Sequence, residues 1–382
     1  MIRPKIILAQ LCATLLALGT LLTAPTLQAT EPGVEGLEID PYASGLPDLG
    51  ESINLAQADS APPVDEVAQS EQCLAFASDP DADLGEVLRA GCKPTLGQMS
   101  ALMDNPLGNV AMLFNQYDSY HLKNDANGEE AIQGNFMGIF QFPKSLNKDW
   151  NLINRVVYNI PSVPLDQDKI DDLNTGSPGT PPGSINPGPP PALIDAADGR
   201  TTGFGDMYYV GLFAPKEPIR FDNGAKGVWG LGFDLGLPTA TEDVLGTGKW
   251  TAGPSALFAY LGPKWKVGGL VQQYWDYAGS DKRDDVNMTN LQYLVYYSLN
   301  ETTSIGAAPN IIADWEQSGG DRFTVPVGIG INKTINIGKV PVRFGVEAMY
   351  SVHRPDNIPG TRWDFRFYII PAAPSALFKW MQ

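Results

Sequence analysis

The sequence predicts an all-β fold, a transmembrane antiparallel up-and-down β-barrel of about twelve strands preceded by a disordered acidic N-terminal leader. Three observations predict it. Beyond residue 107, apolar and polar residues alternate with the period of two that is typical of strands with one apolar face. Most of these strands have about ten residues, the length that a tilted strand needs to cross a bilayer. After the N-terminal segment, polar residues, Gly or Pro interrupt every apolar stretch before it reaches the length of a transmembrane helix.

The N-terminal segment has the pattern of a secretory signal peptide. Arg3 and Lys5 precede an apolar run over 6–22, and small residues follow before residue 30. We therefore expect cleavage after a signal peptide of residues 1–29. The less favoured alternative is a retained transmembrane helix, because Pro25 and polar residues interrupt the run.

The negative charge of the chain is concentrated in one segment. Residues 31–100 contain 14 acidic and 2 basic residues, whereas the chain beyond residue 100 contains 29 acidic and 22 basic residues. Its first part has few large apolar groups to offset the entropy of ordering. We expect a periplasmic acidic leader over 30–106 and the barrel over 107–382. No basic patch suits nucleic acid, which is excluded as a partner.

Two local features stand out within the leader. Cys73 and Cys92 are the only cysteines after the signal peptide, and an oxidising compartment permits a disulfide between them. Such a bridge would stabilise the chain by roughly 3 kcal/mol in the chain-entropy model. The alternative is two unpaired small buried residues. Thr95 and Gln98 have the spacing of a capping box, which predicts a short helix that ends before Pro106.

The alternation is clearest near the C-terminus, where Phe365 and Phe367 alternate with Asp364 and Arg366. The same test finds twelve strands, and an even number places both ends of the barrel on one side. They lie near 109–117, 133–142, 150–160, 203–213, 226–237, 249–260, 264–276, 286–299, 302–315, 322–333, 339–350 and 361–370.

Connection lengths and tryptophans separate a membrane barrel from a soluble β-sandwich, the alternative fold. Tight turns near 262–263, 300–301 and 337–338 alternate with long connections over 118–131, 161–202, 238–248 and 351–360. The connection over 214–223 is longer than this rule predicts. Tryptophans fall near both ends of the strands, as in two aromatic girdles. They are Trp150, Trp229 and Trp265 at the periplasmic ends and Trp250, Trp275, Trp315 and Trp363 at the external ends.

The polar face of the strands is the candidate site. If the apolar face meets lipid, the polar face lines the lumen. These charges could form a constriction that selects permeants, or a self-neutralising network that fills a narrow barrel. Both signs occur, so the sequence leaves both interpretations open. The candidates are Arg155, Asp234, Gln272, Asn310, Asp314, Arg343, Glu347, Arg362, Asp364 and Arg366.

Several of these strands also resemble a known family. The stretch WGLGFDLGLPTATEDVLGTGKWTAGPSA over 229–256, with FTVPVGIGINKT and WDFRFYIIP further on, is similar to the outer-membrane barrel family named after the MetA pathway of phenol degradation. The similarity runs over 107–371. It implies an outer-membrane protein that moves small aromatic or other hydrophobic molecules, and it brings no catalytic motif.

The expected function is a porin-like outer-membrane channel or transporter that passes small molecules by passive diffusion. We expect no enzymatic activity, cofactor or metal. The partners would be outer-membrane lipid, an unidentified small permeant and the barrel-assembly machinery of a Gram-negative cell. One alternative is a structural or adhesive barrel with a closed lumen. The other is an outer-membrane hydrolase that uses His121 with Ser119, or His353 with Asp356.

Overall fold

The residues described by the computed structural model all belong to the second of two units of the chain, residues 63–382. The predicted signal peptide, most of the acidic leader and most of the connection over 161–202 lie outside the described residues. The structure describes residues 66–78, 87, 90–123, 128, 130–168, 199–356 and 359–374.

The described part of the second unit is a closed antiparallel barrel of twelve strands, as the sequence predicts. Each strand pairs with the next along the chain, and the last strand pairs with the first to close the barrel. The ninth strand has two segments, β9a and β9b. The strands are β1 (Val110–Lys123), β2 (Glu130–Ser145), β3 (Trp150–Val163), β4 (Met207–Pro215), β5 (Lys226–Leu237), β6 (Lys249–Leu261), β7 (Trp265–Gly279), β8 (Asn287–Asn300), β9a (Thr303–Ala307), β9b (Asn310–Asp314), β10 (Phe323–Ile337), β11 (Val340–His353) and β12 (Gly360–Pro374).

Two connections differ from the sequence-based expectation. Of the connection predicted over 118–131, residues 118–123 and 130–131 belong to strands, because the ladder between β1 and β2 continues up to Lys123 and Glu130. Polar residues suggested a loop there, but Asp118 points inward and is fully buried. The long connection over 214–223 contains a short strand, Ile219–Arg220, that pairs with the start of β5.

The two faces of the barrel wall have opposite character. The outward face exposes large apolar side chains, among them Ile329, Phe365 and Phe367. The inward face buries polar and charged side chains, with Asp118 and Asn290 at zero exposure. The inward face also buries apolar clusters, one of which includes Ile153 and Leu212. A soluble protein does not cover its outer surface with large apolar side chains, so the outward face is inverted relative to that of a soluble protein.

Aromatic side chains gather at both ends of the barrel. We call the end with the turns at 146–149, 262–264, 301–302 and 338–339 the short-turn end, and the opposite one the long-loop end. Each end carries rings in contact, which suits the headgroup level of a membrane. The pairs are Trp150–Trp229 and Trp265–Tyr297 at the short-turn end, and Trp315–Phe323 and Tyr350–Trp363 at the long-loop end.

Within the described residues, two helices precede the barrel, α1 (Glu66–Ser78) and α2 (Leu96–Asp104). Thr95 and Gln98 form the expected capping box, which satisfies two backbone N–H groups at the start of α2. Cys73 and Cys92 form a disulfide with Cα atoms 5.4 Å apart. None of the described helices combines the length and the hydropathy required to cross a membrane.

Candidate functional site

Helix α2 lies against the inner wall of the barrel at the short-turn end. Met103 packs among apolar residues of β1 and β12. The Ser100 hydroxyl lies 3.2 Å from the hydroxyl of Thr334 on β10. The Ser100 backbone carbonyl accepts a hydrogen bond from Arg343 on β11 at 2.9 Å. Part of the segment predicted as a periplasmic leader is therefore integrated with the barrel. The sequence indicated a capped helix but gave no sign of this position.

Asp104, the last residue of α2, binds two cations of the wall. One carboxylate oxygen lies 2.7 Å from Lys266 Nζ on β7, and the other lies 2.8 Å from Arg343 Nη1 on β11. All three side chains are largely buried, so the ion pairs are weakly screened. Because the two cations belong to different strands, Asp104 ties the helix to two parts of the wall.

A second charged cluster surrounds Arg366 on β12. Its Nε donates to Asp118 at 2.7 Å, its Nη1 lies 3.4 Å from Glu347, and its Nη2 lies 3.8 Å from Asp364. Tyr296 donates a further hydrogen bond of 2.6 Å to Glu347. Arg366 is thus saturated with carboxylate partners, as the ion-pair interpretation of the lumen predicts.

The Arg366 cluster also completes the wall where the ninth strand is interrupted. Between β9a and β9b, Ala308 and Pro309 leave the regular ladder. The Ala308 carbonyl accepts a hydrogen bond from Arg366 Nη1 at 3.0 Å, and the Ala308 N–H donates to Glu347 Oε2 at 3.4 Å. Side chains of the lumen therefore satisfy backbone groups that strand pairing would satisfy elsewhere.

A cavity of about 150 Å³ lies between α2 and the Arg366 cluster. Met103 and Asp104 of the helix form part of its lining, and apolar side chains form much of the rest. Its charged lining consists of two carboxylates and four cations. The carboxylates are Asp104 and Glu347, and the cations are Arg155, Lys266, Arg343 and Arg366.

Arg155 on β3 differs from the other three cations. It lies between this cavity and a smaller one of about 20 Å³ that is also lined by Tyr208 and Tyr274. Its Nε is shielded from solvent and has no hydrogen-bond partner. Across the described ranges, no carboxylate forms an ion pair with this guanidinium.

Polar side chains continue around the wall from this position. Gln272 on β7 donates to the Tyr274 hydroxyl at 2.6 Å and accepts a hydrogen bond from Asn290 on β8, which accepts one from Asn310 on β9b. Amides thus link three neighbouring strands inside the barrel and hold the Tyr274 hydroxyl in place.

Packed connections cover part of the long-loop end. Asp206 accepts hydrogen bonds from the backbone N–H and the hydroxyl of Thr247, at 2.7 and 2.8 Å. Burial raises the pKa of the Asp206 carboxyl, and these hydrogen bonds oppose the shift. Arg283 donates to the carbonyls of Asp243 and Gly246, and burial lowers the pKa of its guanidinium. These contacts join the connections that precede β4, β6 and β8.

The inner wall contains nearly all of the predicted lumen residues. One departs from the prediction, because the Arg362 side chain is partly exposed and pairs with Glu130 at 3.5 Å, which places it at the rim. The sequence missed Asp104, Lys266 and Asp118, of which Asp118 had a detectable signal, its place in the alternation beyond residue 117. The predicted lumen residues that lie on the inner wall are Arg155, Asp234, Gln272, Asn310, Asp314, Arg343, Glu347, Asp364 and Arg366.

The two histidines do not face each other or the lumen cluster. His121 packs its ring edge against Phe365 on the outward face, with centroids 5.4 Å apart. His353 contacts the Gly320 carbonyl at 3.1 Å. Among the residues that the structure describes, no group of three or more His, Cys, Asp or Glu side chains is arranged to hold a metal ion.

No family model matches the chain, and no curated protein matches it. Solved structures with a similar fold include an outer membrane channel from Pseudomonas putida F1, 14% identical, which matches 69% of this chain and 94% of its own with a TM-score of 0.48. The outer membrane phospholipase A of Escherichia coli is 12% identical; the match covers 72% of this chain and 97% of the phospholipase, with a TM-score of 0.34. The toluene transporter TodX of P. putida is 9% identical; the match covers 72% of this chain and 92% of the transporter, with a TM-score of 0.32.

Proposed function

We propose that this chain is an outer-membrane channel that passes small molecules by passive diffusion through its lumen. The observation that carries the proposal is the inverted wall of the barrel. Apolar side chains cover its outward face, and charged side chains surround a cavity of about 150 Å³ inside. In a bilayer the outward face meets lipid, so the only polar route through the barrel is the lumen.

The proposal includes the predicted organisation of the chain. A signal peptide over 1–29 would direct export. The acidic leader over 30–106 would lie on the periplasmic side together with the short-turn end, apart from α2, which lies against the inner wall. The barrel over 107–382 would be inserted by the barrel-assembly machinery. The aromatic pairs at both ends support membrane insertion, because indole rings favour the headgroup level.

The permeant would be small, because the cavity has room for roughly five water molecules at about 30 Å³ each. The resemblance to the family of the phenol degradation pathway adds aromatic or other hydrophobic molecules to the proposal. The lumen side chains bind and orient such a molecule and need no covalent chemistry. We therefore propose a transport protein and no enzyme.

Swelling of proteoliposomes tests this function. Full-length protein is reconstituted, and liposomes that contain it should swell in solutions of solutes no larger than a single six-membered ring. Empty liposomes are the control. A gel-mobility shift on boiling should confirm that the reconstituted protein is a folded barrel. Folded protein that never accelerates swelling would contradict the channel and support the barrel with a closed lumen.

A further inference from the structure

The four cations of the cavity differ in how their charge is compensated. Asp104 binds both Lys266 and Arg343, and three carboxylates surround Arg366. Within the described chain, Arg155 alone of these four has no ion pair. One guanidinium of the cavity lining, on β3, therefore has no carboxylate within ion-pair distance among the described residues.

The nearest strands do not supply a partner. In the ladder, Val210 lies between Arg155 on one side and Asp234 on the other. Asp234 accepts a hydrogen bond of 2.5 Å from Ser255 and forms no ion pair with Arg155. A guanidinium without a partner is costly in a weakly solvated site, so this arrangement favours a mobile anion as its partner.

The chemistry of the site favours a carboxylate among the anions. The planar guanidinium presents parallel N–H groups that match the two oxygens of a carboxylate. Tyr274, which lines the smaller cavity together with Arg155, accepts a hydrogen bond from Gln272, and no described acceptor uses its own hydroxyl proton. A carboxylate could therefore receive hydrogen bonds from two different residues.

The shape and lining of the cavity describe the rest of the ligand. Phe114, Ile139, Leu257 and Leu270 contribute apolar surface to the cavity that Arg155 lines. An apolar protein cavity of about 150 Å³ is large enough to bind benzene, and the present cavity has about that volume. The body of the ligand is therefore apolar and about the size of one six-membered ring.

We propose that Arg155 is the anion-binding residue of the lumen and that its ligand is a small monocarboxylate with an apolar body of about one ring. The inference rests on the proposed function, because it names the class of permeant for the same lumen. It also assigns different roles to the arginines. Arg343 and Arg366 stabilise the structure, whereas Arg155 binds what passes.

Calorimetric titration of the full-length protein in detergent tests the proposal, with benzoate as the probe and neutral benzamide as its near-isosteric control. Benzoate should bind at least ten times more tightly than benzamide. Arg155→Met should weaken benzoate binding at least tenfold. Arg155→Lys should bind benzoate more weakly than the wild type and more tightly than Arg155→Met, because it keeps the charge and loses the paired N–H groups. Arg220→Met, at an exposed arginine of the short hairpin before β5, should bind benzoate like the wild type.

Three results would overturn the proposal. They are an absence of benzoate binding to the wild type, equal affinity for benzamide, and unchanged benzoate binding in Arg155→Met. Displacement of benzoate by chloride at equal concentration would also overturn it, since the apolar body would then contribute nothing. The mobility shift on boiling shows whether each variant is folded. If Arg155→Met does not fold, the decision rests on Arg155→Lys, and a benzoate affinity of this variant equal to that of the wild type would then overturn the proposal.

The titration and the swelling assay can fail separately. Arg155-dependent benzoate binding without solute entry would contradict the channel and leave the binding site standing. Solute entry without benzoate binding would leave the channel standing and overturn the assignment of its ligand.

Discussion

Arg366 and Arg155 both extend into the same lumen, yet their surroundings are opposite. Arg366 has three carboxylate neighbours and a bond to the Ala308 carbonyl, whereas Arg155 has no ion pair within the described part of the chain. The comparison shows that a charged lumen wall can serve two purposes. Saturated charges hold strands and helix together, and an unsaturated charge is available to a ligand.

The largest effect should follow from removal of the saturated arginine. Arg366→Met leaves Asp118, Glu347 and Asp364 together without their cation, and the break next to Ala308 loses one of its hydrogen bonds. Breaking a buried charge cluster in this way costs about 3 to 5 kcal/mol of unfolding free energy. Urea titration of refolded protein measures the loss. Arg220→Met is the matched control and should unfold like the wild type, and an equal stability of both variants would contradict the structural role of Arg366.

The next largest loss of stability should follow from a change at Phe365, the residue before Arg366 in the chain. Phe365 points outward, and Phe365→Arg places a charge on the face that meets lipid. The expected cost is about 2 to 4 kcal/mol if the site lies near the midplane of the bilayer. Refolding yield into liposomes and urea titration measure it. If Phe365→Arg inserts as well as the wild type, the proposed orientation of the wall is wrong.

The smallest change in stability should come from Arg155. Arg155→Met removes a guanidinium that lacks a partner, so no carboxylate loses its cation. We expect an unfolding free energy equal to that of the wild type or about 1 kcal/mol higher. The same urea titration applies. A loss as large as that of Arg366→Met would show that Arg155 has a structural partner and would remove the contrast.

Much of the barrel could be predicted from the sequence, because strand alternation is a local property. Phe365 and Arg366 show this, since adjacent residues in a strand point to opposite faces. The pairing of Glu347 with an arginine of the last strand was within reach of the sequence, because the two strands are neighbours, and the structure pairs it with Arg366. The other ion pairs could not be predicted, because they depend on the register around the closed barrel. The sequence placed both signs in the lumen but did not show that Arg366 takes three carboxylates and Arg155 none. The ladder up to Lys123 and Glu130 was missed for a similar reason, as its polar residues face the lumen and resemble a loop in the sequence.

Helix α2 illustrates the same limit. The capping box at Thr95 predicted the helix, since both partners lie within one turn. Its place inside the barrel depends on Asp104 meeting Lys266 and Arg343, which lie far along the chain. No local pattern in the sequence contains that information.

The measurement that tests the channel most directly is single-channel conductance in planar bilayers, with the wild type, Asp104→Asn and the exposed control Asp149→Asn. Asp104 holds α2 to Lys266 and Arg343 in the lumen, so Asp104→Asn should release the helix and enlarge the conductance. We expect discrete steps for the wild type, unchanged steps for Asp149→Asn and larger steps for Asp104→Asn. Folded protein that shows no conductance in either the wild type or Asp104→Asn would contradict a continuous path through the lumen.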